Sequence, residues 1–269
     1  MKVLSLFDGI SCGMVALERA GLSVEKYDAF EIDKYAVSVS ANNFPNIIQH
    51  GDVFNGDFTQ FKGYDLLLGG SPCTYWSVAK VGREITPDGK GFRLFMQYVR
   101  ALEESGCKYF LYENNYSIHQ NIRNEISESL GVQPLYINSS LVSGQDRKRL
   151  YWTNIPNVNV PGDKMIFLKD ILTSETPVNT LNGKSRTIKA SYARTSLANA
   201  LRGDGFGATM VYDRRAFRKL SHVEAERLQT LPDGYTEGVS NNQRYKCIGN
   251  GWTVDVITHI LKNLKNTSK

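Results

Sequence analysis

The first half of the chain alternates short apolar runs with segments whose apolar residues have helical spacing. The apolar runs predict strands at Lys2–Phe7, Tyr27–Ile32, Tyr64–Leu68, Lys108–Tyr112, Pro134–Val142 and Leu150–Trp152. The segments between them predict helices at Met14–Ala20, Lys34–Asn42, Leu94–Ser105 and Ile118–Leu130. Strands that alternate with helices of this length are typical of βαβ units, so the pattern indicates an α/β fold with a mostly parallel sheet.

The alternation ends near Asn154. From there to Phe217 the chain is rich in Gly, Asn, Thr, Ser and basic residues. The elements predicted after Asn154 are strands at Arg186–Tyr192 and Thr209–Tyr212, a helix capped by Ser221 and Glu224, and a helix at Trp252–Leu264. We therefore predict a large domain from residues 1–154 and 240–269, with a smaller region, residues 155–239, between its two parts.

The composition, 41% hydrophobic and 22% charged, is typical of a globular protein. The four cysteines are widely spaced, which favours reduced thiols over a disulfide framework or a metal site. The apolar N-terminal run is interrupted by Asp8 and Gly9, and no stretch is long enough to span a membrane. We expect a cytoplasmic protein that binds no membrane and no metal.

Positive charge is concentrated in one part of the sequence. The whole chain carries +5, but Ser143–Leu220 holds 14 Lys and Arg against 6 Asp and Glu. A basic segment on a slightly acidic body indicates a polyanionic partner. A solvated lysine-rich surface explains the charge alone equally well.

The turn "LFDGISCG" after the first predicted strand is a candidate ligand site. Gly9 and Gly13 let the backbone approach a ligand, and the next helix begins with free N–H groups. Glu31 ends the second strand, where an acid typically binds ribose, and Asp52 could accept from an adenine amino group. Each acid alone could be a helix cap or turn residue. Together they predict a nucleoside cofactor, either NAD or S-adenosylmethionine, and the glycine spacing disfavours a pyrophosphate.

A cysteine follows another predicted strand, in the stretch "GGSPCTYW". Cys73 lies just past the strand end, where α/β proteins usually place their chemistry. Its thiol is therefore a candidate nucleophile, and the alternative is a small apolar residue that packs behind a turn. The stretch alone does not decide between the two.

Six strings in order resemble the motifs of the DNA cytosine-5 methyltransferase family, over nearly the whole chain. They are "SLFDGISCGMVAL", "GGSPC", "ENN", "QDRKR", "RKLSHVEAERLQTLPDGY" and "GNGWTVDVI". The wording "SLFDGI", the serine before Pro72 and the tryptophan in the last motif are closer to the animal de novo enzymes. The resemblance implies a Rossmann-like S-adenosylmethionine-dependent methyltransferase fold, with helices on both faces of the sheet and a small target-recognition domain.

The resemblance also implies the catalytic residues. Cys73 would add to C6 of a cytosine, which makes C5 nucleophilic enough to take a methyl group. Glu113 would protonate or hydrogen-bond ring N3, and Arg149 would bind O2. Arg147 would support Arg149 or contact phosphate. Without the other motifs, the favoured interpretation of both arginines would be surface charges that flank a strand.

For the cofactor, the resemblance implies that Phe7 packs against adenine, Glu31 binds the ribose and Asp52 binds the adenine amino group. The predicted cofactor residues are Phe7, Asp8, Gly9, Ile10, Gly13, Glu31, Ile32, Asp52, Val53, Asn250 and Trp252. Two positions depart from the family pattern: Asn115 replaces the usual valine of the third motif, and Gly251-Trp252 replaces a Ser-Val pair.

A target base in a duplex must be flipped out before C5 can react. The glycine-bearing loop after Cys73 is predicted to close over the DNA, and Gly183–Arg218 is predicted to read the target. An ordinary surface crossover is the alternative for the loop. The predicted DNA-binding residues are Ser77, Lys80, Arg83, Arg93, Lys184, Arg186, Lys189, Arg194 and Arg202.

The sequence thus predicts a DNA cytosine-5 methyltransferase in which residues 1–154 and 240–269 form the catalytic domain and residues 155–239 recognise the target. Expected partners are double-stranded DNA, bound by a monomer, and a cognate restriction endonuclease. A prokaryotic or phage protein would lie with the nucleoid in the cytoplasm. Alternatives are a tRNA cytosine-5 methyltransferase of the same family, a catalytically inert DNA-binding homologue and, more distantly, a nicotinamide oxidoreductase.

Overall fold

The computed structural model describes residues 1–78, 80–172, 176–178, 180–200, 207–212 and 216–267. The first eight strands are β1 (Lys2–Leu6), β2 (Lys26–Phe30), β3 (Ile48–Gln49), β4 (Leu66–Gly69), β5 (Tyr109–Asn115), β6 (Leu135–Asn138), β7 (Gln145–Asp146) and β8 (Lys148–Thr153). All but β7 form one sheet, in the order β3-β2-β1-β4-β5-β8-β6. β1 to β5 are parallel, and β8 is antiparallel to both of its neighbours. The structure confirms the predicted Rossmann-like α/β fold.

Helices cover both faces of this sheet. In chain order, the helices of the described residues are α1 (Cys12–Ala20), α2 (Lys34–Asn43), α3 (Lys90–Ser105), α4 (Gln120–Leu130), α5 (Leu197–Ala200), α6 (His222–Leu228), α7 (Asn241–Asn250) and α8 (Val254–Leu261), of which α1 to α4 and α8 pack on the sheet. Side chains alternate along a strand, so Leu66 and Leu68 of β4 pack against α1, α2 and α8, while Leu67 packs on the face covered by α3 and α4. Burial on both faces explains why these strands are continuous apolar runs.

The smaller region has a hydrophobic cluster of its own, to which Ile188, Tyr192 and Val211 contribute. Tyr245 and Ile248 of α7 pack into the same cluster, so α7 joins this region to the sheet domain. The short strands here are β9 (Thr176–Val178), β10 (Ser185–Arg186), β11 (Met210–Tyr212) and β12 (Phe217–Arg218). β10 pairs with β7, and β9, β11 and β12 form a separate antiparallel sheet.

Several predicted elements differ from the observed ones for local reasons. The predicted strand Pro134–Val142 ends at Asn138, because the Asn138 side chain accepts a hydrogen bond from Ser140 N at 3.1 Å and starts a turn. Helix α3 begins earlier than predicted, at Lys90, where the Glu84 carboxylate accepts from the Gly91 N–H. Of the predicted strand Arg186–Tyr192, only Arg186 belongs to an observed strand, β10. None of the helices that the structure describes is long and apolar enough to cross a membrane.

Candidate active site

The turn between β1 and α1 has an unusual backbone. Phe7, Gly9 and Ser11 have φ angles of 57°, 60° and 59°, a left-handed conformation that only glycine adopts without strain. No described atom lies within 4 Å of the place where a Cβ on Gly9 would stand. The turn therefore leaves an open cradle beside Gly9, and strain of this kind is typical of ligand sites.

Asp8 holds this turn in place. Its carboxylate accepts hydrogen bonds from Ser5 Oγ at 2.6 Å, Ser11 Oγ at 2.5 Å and Tyr27 OH at 2.7 Å. Burial raises the pKa of Asp8, and the three hydroxyl donors oppose that shift. Asp8 thus stabilises the strained backbone of the turn through these three hydrogen bonds.

Glu31, at the end of β2, completes the cradle. Its carboxylate accepts from the backbone N–H groups of Gly9 at 2.9 Å and of Ile32 and Asp33 at 2.8 Å. Burial raises the pKa of Glu31, while these N–H donors lower it. A carboxylate fixed by three backbone donors is well placed to accept from the hydroxyl groups of a ligand.

Cys73 differs from the other three cysteines of the chain, and the structure describes all four. It is partly exposed, whereas Cys12, Cys107 and Cys247 are buried. Burial raises the pKa of Cys12 and of Cys247 to about 12, so these thiols stay protonated at neutral pH. Cys73 begins a short turn in which its carbonyl accepts from the N–H groups of Trp76 and Ser77. Its accessibility fits a nucleophile better than a packing residue.

Glu113 and Arg149 form an ion pair beside Cys73. The two residues lie on the antiparallel strands β5 and β8, and Glu113 Oε1 is 2.7 Å from Arg149 Nε. The Trp252 indole donates to the other carboxylate oxygen at 3.0 Å. Both side chains are largely buried, so the pair presents a fixed acid and a fixed guanidinium at the carboxyl end of the sheet.

Arg147 is buried and bonded to the backbone. Its guanidinium donates to the carbonyl of Ile188 at 3.3 Å and to those of Gly249 and Gly251 at 3.1 and 2.9 Å. Burial, followed by the nearby Arg149 charge, lowers the pKa of Arg147 to about 10, so it remains charged at neutral pH. It ties Ile188 of the smaller region to the end of α7, and its predicted roles toward Arg149 or a phosphate stay predictions.

One cavity brings most of the predicted site residues together. Its lining includes Phe7, Asp8, Gly9, Ile10, Glu31, Cys73, Glu113, Arg147, Arg149, Asn250 and Trp252. Asp33 also lines it and was not predicted, although its position as the N-cap of α2, two residues after Glu31, is a signal that could have found it. The predicted nucleophile therefore shares one cavity with seven of the eleven predicted cofactor residues.

Four predicted cofactor residues do not line this cavity. Gly13 lies inside α1, where an added Cβ would be 2.7 Å from Leu68 Cδ1, so it serves close packing of the helix on the sheet. Ile32 is 75% exposed. Asp52 accepts from Phe54 N at 3.0 Å, the helix-cap alternative considered for it, and Val53 is buried in the core. Their contact with a cofactor stays a prediction.

A family model for "C-5 cytosine-specific DNA methylase" matches residues 1–157 and 124–266. The chain belongs to this family. Among its relatives are the orphan methyltransferases M.Rho11sI of Bacillus phage rho11s, 32% identical over 71% of this chain and 41% of the relative, and M.SPRI of Bacillus phage SPR, 36% identical over 56% and 37%. The type II methyltransferase M1.ScrFI of Lactococcus lactis subsp. cremoris is 25% identical over 98% of this chain and 77% of the relative. The chain thus spans about two fifths of the length of the phage relatives.

Solved structures of methyltransferases share the fold over the whole chain. The Entamoeba histolytica methyltransferase EhMeth superposes with a TM-score of 0.79 at 14% identity, covering 100% of this chain and 99% of that one. A DNMT2 of Spodoptera frugiperda gives a TM-score of 0.66 at 19% identity, covering 98% and 99%. At these identities the likeness concerns the fold alone.

A second cavity of this family member adjoins the first at Arg149. It is lined by residues of β8, by Tyr116 after β5 and by residues of the smaller region. Its basic residues include Lys148 of β8 and Arg186 and Lys189 of the smaller region. Asn115, which replaces the usual valine, also lines it and bonds Ser117 Oγ at 2.7 Å. Basic side chains around an opening beside Arg149 suit a polyanion.

The other predicted DNA-binding residues have different surroundings. Lys80 and Arg93 are exposed, Lys80 lies 4.7 Å from the Tyr75 ring centroid, and Arg194 is exposed on the small region. Arg83 donates to Ser117 O at 2.6 Å, and Ser77 is partly buried next to the turn of Cys73. Arg202 lies outside the described residues.

The ammonium group of Lys184 is bonded to backbone carbonyls of the protein. It is 8% exposed, and its Nζ donates to the carbonyls of Ser140, Ser143 and Ile166. An ammonium group has three N–H donors, so none is left for a phosphate. The prediction that Lys184 binds DNA is therefore replaced by a role in holding β10 to the sheet domain.

Replacing Gly70 with alanine tests the fit of the "GGSPC" loop against β5. A Cβ there would stand 2.8 Å from Glu113 O and 3.2 Å from Glu113 Oε2, and the strand backbone cannot move away. We expect a loss of about 1–3 kcal/mol in the free energy of unfolding, measured by urea denaturation, together with slower methyl transfer. Gly162→Ala is the matched control, because no described atom lies within 4 Å of its Cβ position. Equal stability of the two variants would show that the loop is not packed in this way.

Proposed function

We propose that the protein transfers a methyl group from S-adenosylmethionine to C5 of a flipped-out cytosine in double-stranded DNA. The observation that carries this proposal is the single cavity in which Cys73 lies with Glu113, Arg149 and the cradle at Gly9 and Glu31. Membership of the C-5 cytosine-specific DNA methylase family supports it, as do relatives named as type II and orphan methyltransferases in bacteria and phages.

The lining of the cavity fits S-adenosylmethionine. The open space beside Gly9 would take the methionine portion, the Glu31 carboxylate would accept from the ribose hydroxyls, and the partly buried Phe7 ring would pack on adenine. Trp252 and Asn250 also line the cavity. When bound, S-adenosylmethionine supplies the methyl group as an electrophile.

The residues of this chain prepare cytosine to accept that group. The Cys73 thiolate adds to C6, so a sulfur–carbon bond forms and the C5–C6 electron pair becomes available at C5. Glu113 holds or donates a proton at N3, and Arg149 donates to O2, so both stabilise the negative charge that develops on the ring. After C5 is methylated, solvent water takes up the C5 proton, and the C5–H electron pair re-forms the C5–C6 double bond. The Cys73 thiolate leaves C6 with the electrons of the sulfur–carbon bond, which restores the aromatic ring.

A nucleic acid substrate is supported by the second cavity. It opens beside Arg149, and among the residues that the structure describes it is lined by Lys148, Arg186 and Lys189 against one acid, Asp146. We propose that it receives the phosphate backbone next to the flipped cytosine, with the loop after Cys73 closing over the duplex. Val81 in that loop is 99% exposed, so an apolar side chain is available to face the DNA.

Methyl transfer from labelled S-adenosylmethionine distinguishes DNA from tRNA as substrate. We expect incorporation into duplex DNA and none into tRNA, because the basic recognition region provides a surface for an extended duplex. Incorporation into tRNA alone would support the tRNA enzyme instead. No incorporation into either substrate would support the inert homologue.

Replacing Glu31 with alanine should weaken cofactor binding more than DNA binding. Loss of a charged acceptor for two hydroxyl groups is expected to raise the dissociation constant of S-adenosylhomocysteine roughly 10- to 100-fold, as measured by calorimetry. Glu18→Ala, an exposed position on α1, is the control. Unchanged affinity in Glu31→Ala would remove Glu31 from the cofactor site.

We further propose that the protein acts on DNA as a monomer, in the cytoplasm of a prokaryotic host or an infected one. The relatives are named both as type II and as orphan methyltransferases, and a cognate restriction endonuclease is the partner proposed for the first kind. The closer resemblance of three motifs to the animal de novo enzymes stays a prediction, because the sequence relatives reported above come from phages and a bacterium.

A further inference from the structure

A buried polar network flanks the loop that carries Cys73. Ser71 is 3% exposed, and its Oγ lies 2.6 Å from the hydroxyl of Tyr112, which is fully buried. The Asn114 side-chain amide donates to the Ser71 carbonyl at 3.1 Å and to the Tyr112 hydroxyl at 3.2 Å. Ser71, Tyr112 and Asn114 therefore form a closed network between the loop and β5, two residues before the nucleophile.

The β5 side of this network is rigid. The Tyr112 ring packs against Tyr98 and Trp152 at centroid distances of 4.9 and 5.8 Å, so its hydroxyl has a fixed position. The Asn114 amide is oriented by its own carbonyl oxygen, which accepts from Asn115 N at 2.9 Å. A fully satisfied buried network of this kind specifies one arrangement of the groups that it joins.

The other side of Cys73 is also anchored. The Cys73 carbonyl accepts from Trp76 N at 3.1 Å, and the buried Trp76 indole donates to Glu84 at 3.1 Å. Glu84 in turn accepts from Gly91 N at the start of α3. The thiol thus lies between two fixed points, of which only the Ser71 network is attached to the strand that carries Glu113.

We propose that Ser71, Tyr112 and Asn114 are positioning residues that set the approach of the Cys73 thiol to cytosine C6. This inference rests on the proposed function. The family usually has proline where this chain has Ser71, and a proline restrains the backbone through its ring but has no side-chain hydrogen bond. In this protein the restraint comes from β5, so the nucleophile and Glu113 are held by the same strand.

A double-mutant cycle tests whether the hydroxyls act as one unit. Ser71→Ala, Tyr112→Phe and the double variant are compared for the single-turnover rate at which Cys73 is captured by a 5-fluorocytosine duplex, with cofactor saturating. Each single variant should be about 10-fold slower, and the double variant also about 10-fold slower, because both remove the same contact. Cofactor affinity should not change. Tyr98→Phe is the control, a buried tyrosine that contacts the Tyr112 ring and bonds Leu67 O.

The thiol can also be examined without DNA or methyl transfer. Alkylation of Cys73 by iodoacetamide, followed by peptide mass spectrometry, should be several-fold faster in Ser71→Ala and Tyr112→Phe than in the unmodified protein and in Tyr98→Phe, because the loop is released. Unchanged alkylation in the two variants, or a 100-fold additive loss of capture in the double variant, would overturn the proposal. Failure of the unmodified protein to methylate cytosine would count against the proposed function. The alkylation rates would still test whether Ser71 and Tyr112 hold the loop that carries Cys73.

Discussion

Replacing Cys73 with alanine is expected to abolish methyl transfer while the protein stays folded and binds cofactor. Without sulfur addition at C6, cytosine C5 is too weak a nucleophile, and we expect a loss on the order of 10⁴-fold or more in the rate. The residue is partly exposed and lies in the loop between β4 and α3, so its removal leaves no large cavity in the core. Incorporation of labelled methyl groups into duplex DNA measures the effect.

Cys107→Ala is the matched control for this experiment. Cys107 is buried between α3 and β5 and does not line the cavity, so its loss changes packing and leaves the chemistry intact. Substantial methyl transfer by Cys73→Ala would exclude covalent catalysis by this thiol. A loss in Cys107→Ala as large as that in Cys73→Ala would indicate unfolding as the common cause.

Replacing Glu113 with glutamine should produce the second largest loss of activity. The amide keeps the size of the side chain but cannot hold or deliver a proton at N3, and it gives up the charge that Arg149 faces at 2.7 Å. We expect a decrease of roughly 10²- to 10⁴-fold in the methyl transfer rate, with DNA affinity changed much less. Single-turnover methylation and a DNA-binding titration measure the two quantities.

Glu128→Gln provides the matched control, because Glu128 is an exposed acid on α4 with no place in the cavity. Wild-type rates in Glu113→Gln would mean that neither the proton at N3 nor the ion pair with Arg149 contributes to the reaction. The remaining role of Glu113 would then be the acceptor for the Trp252 indole, which glutamine can also fill.

Much of this arrangement could be predicted because it depends on local patterns. Apolar runs identified the strands, and the parallel order then brings the ends of β1, β2, β4 and β5 to one edge of the sheet, where Gly9, Glu31, Cys73 and Glu113 line a cavity. Helix α7 could not be found in this way, because its sequence, NNQRYKCIGN, has little helical hydrophobic spacing and is held by packing of Tyr245 and Ile248.

Long-range contacts explain the other differences. Lys184 is basic and lies in a segment rich in charge, but three carbonyls from distant positions surround its ammonium group. Ile188, Gly249 and Gly251 likewise engage Arg147 across more than forty residues of sequence. Partners so far apart in the chain leave no periodic signal, so neither role could be predicted from spacing or composition.

The most direct test of the proposed function is covalent capture of the protein by duplex DNA that contains 5-fluorocytosine. Fluorine at C5 cannot leave as a proton does, so after methylation the Cys73–C6 bond should persist. Digestion and mass spectrometry should then find the methylated base on the peptide that contains Cys73, and capture should require S-adenosylmethionine. Labelled methyl transfer to ordinary duplex DNA without any adduct, or an adduct on another residue, would contradict the assignment of Cys73 as the nucleophile of a DNA cytosine-5 methyltransferase.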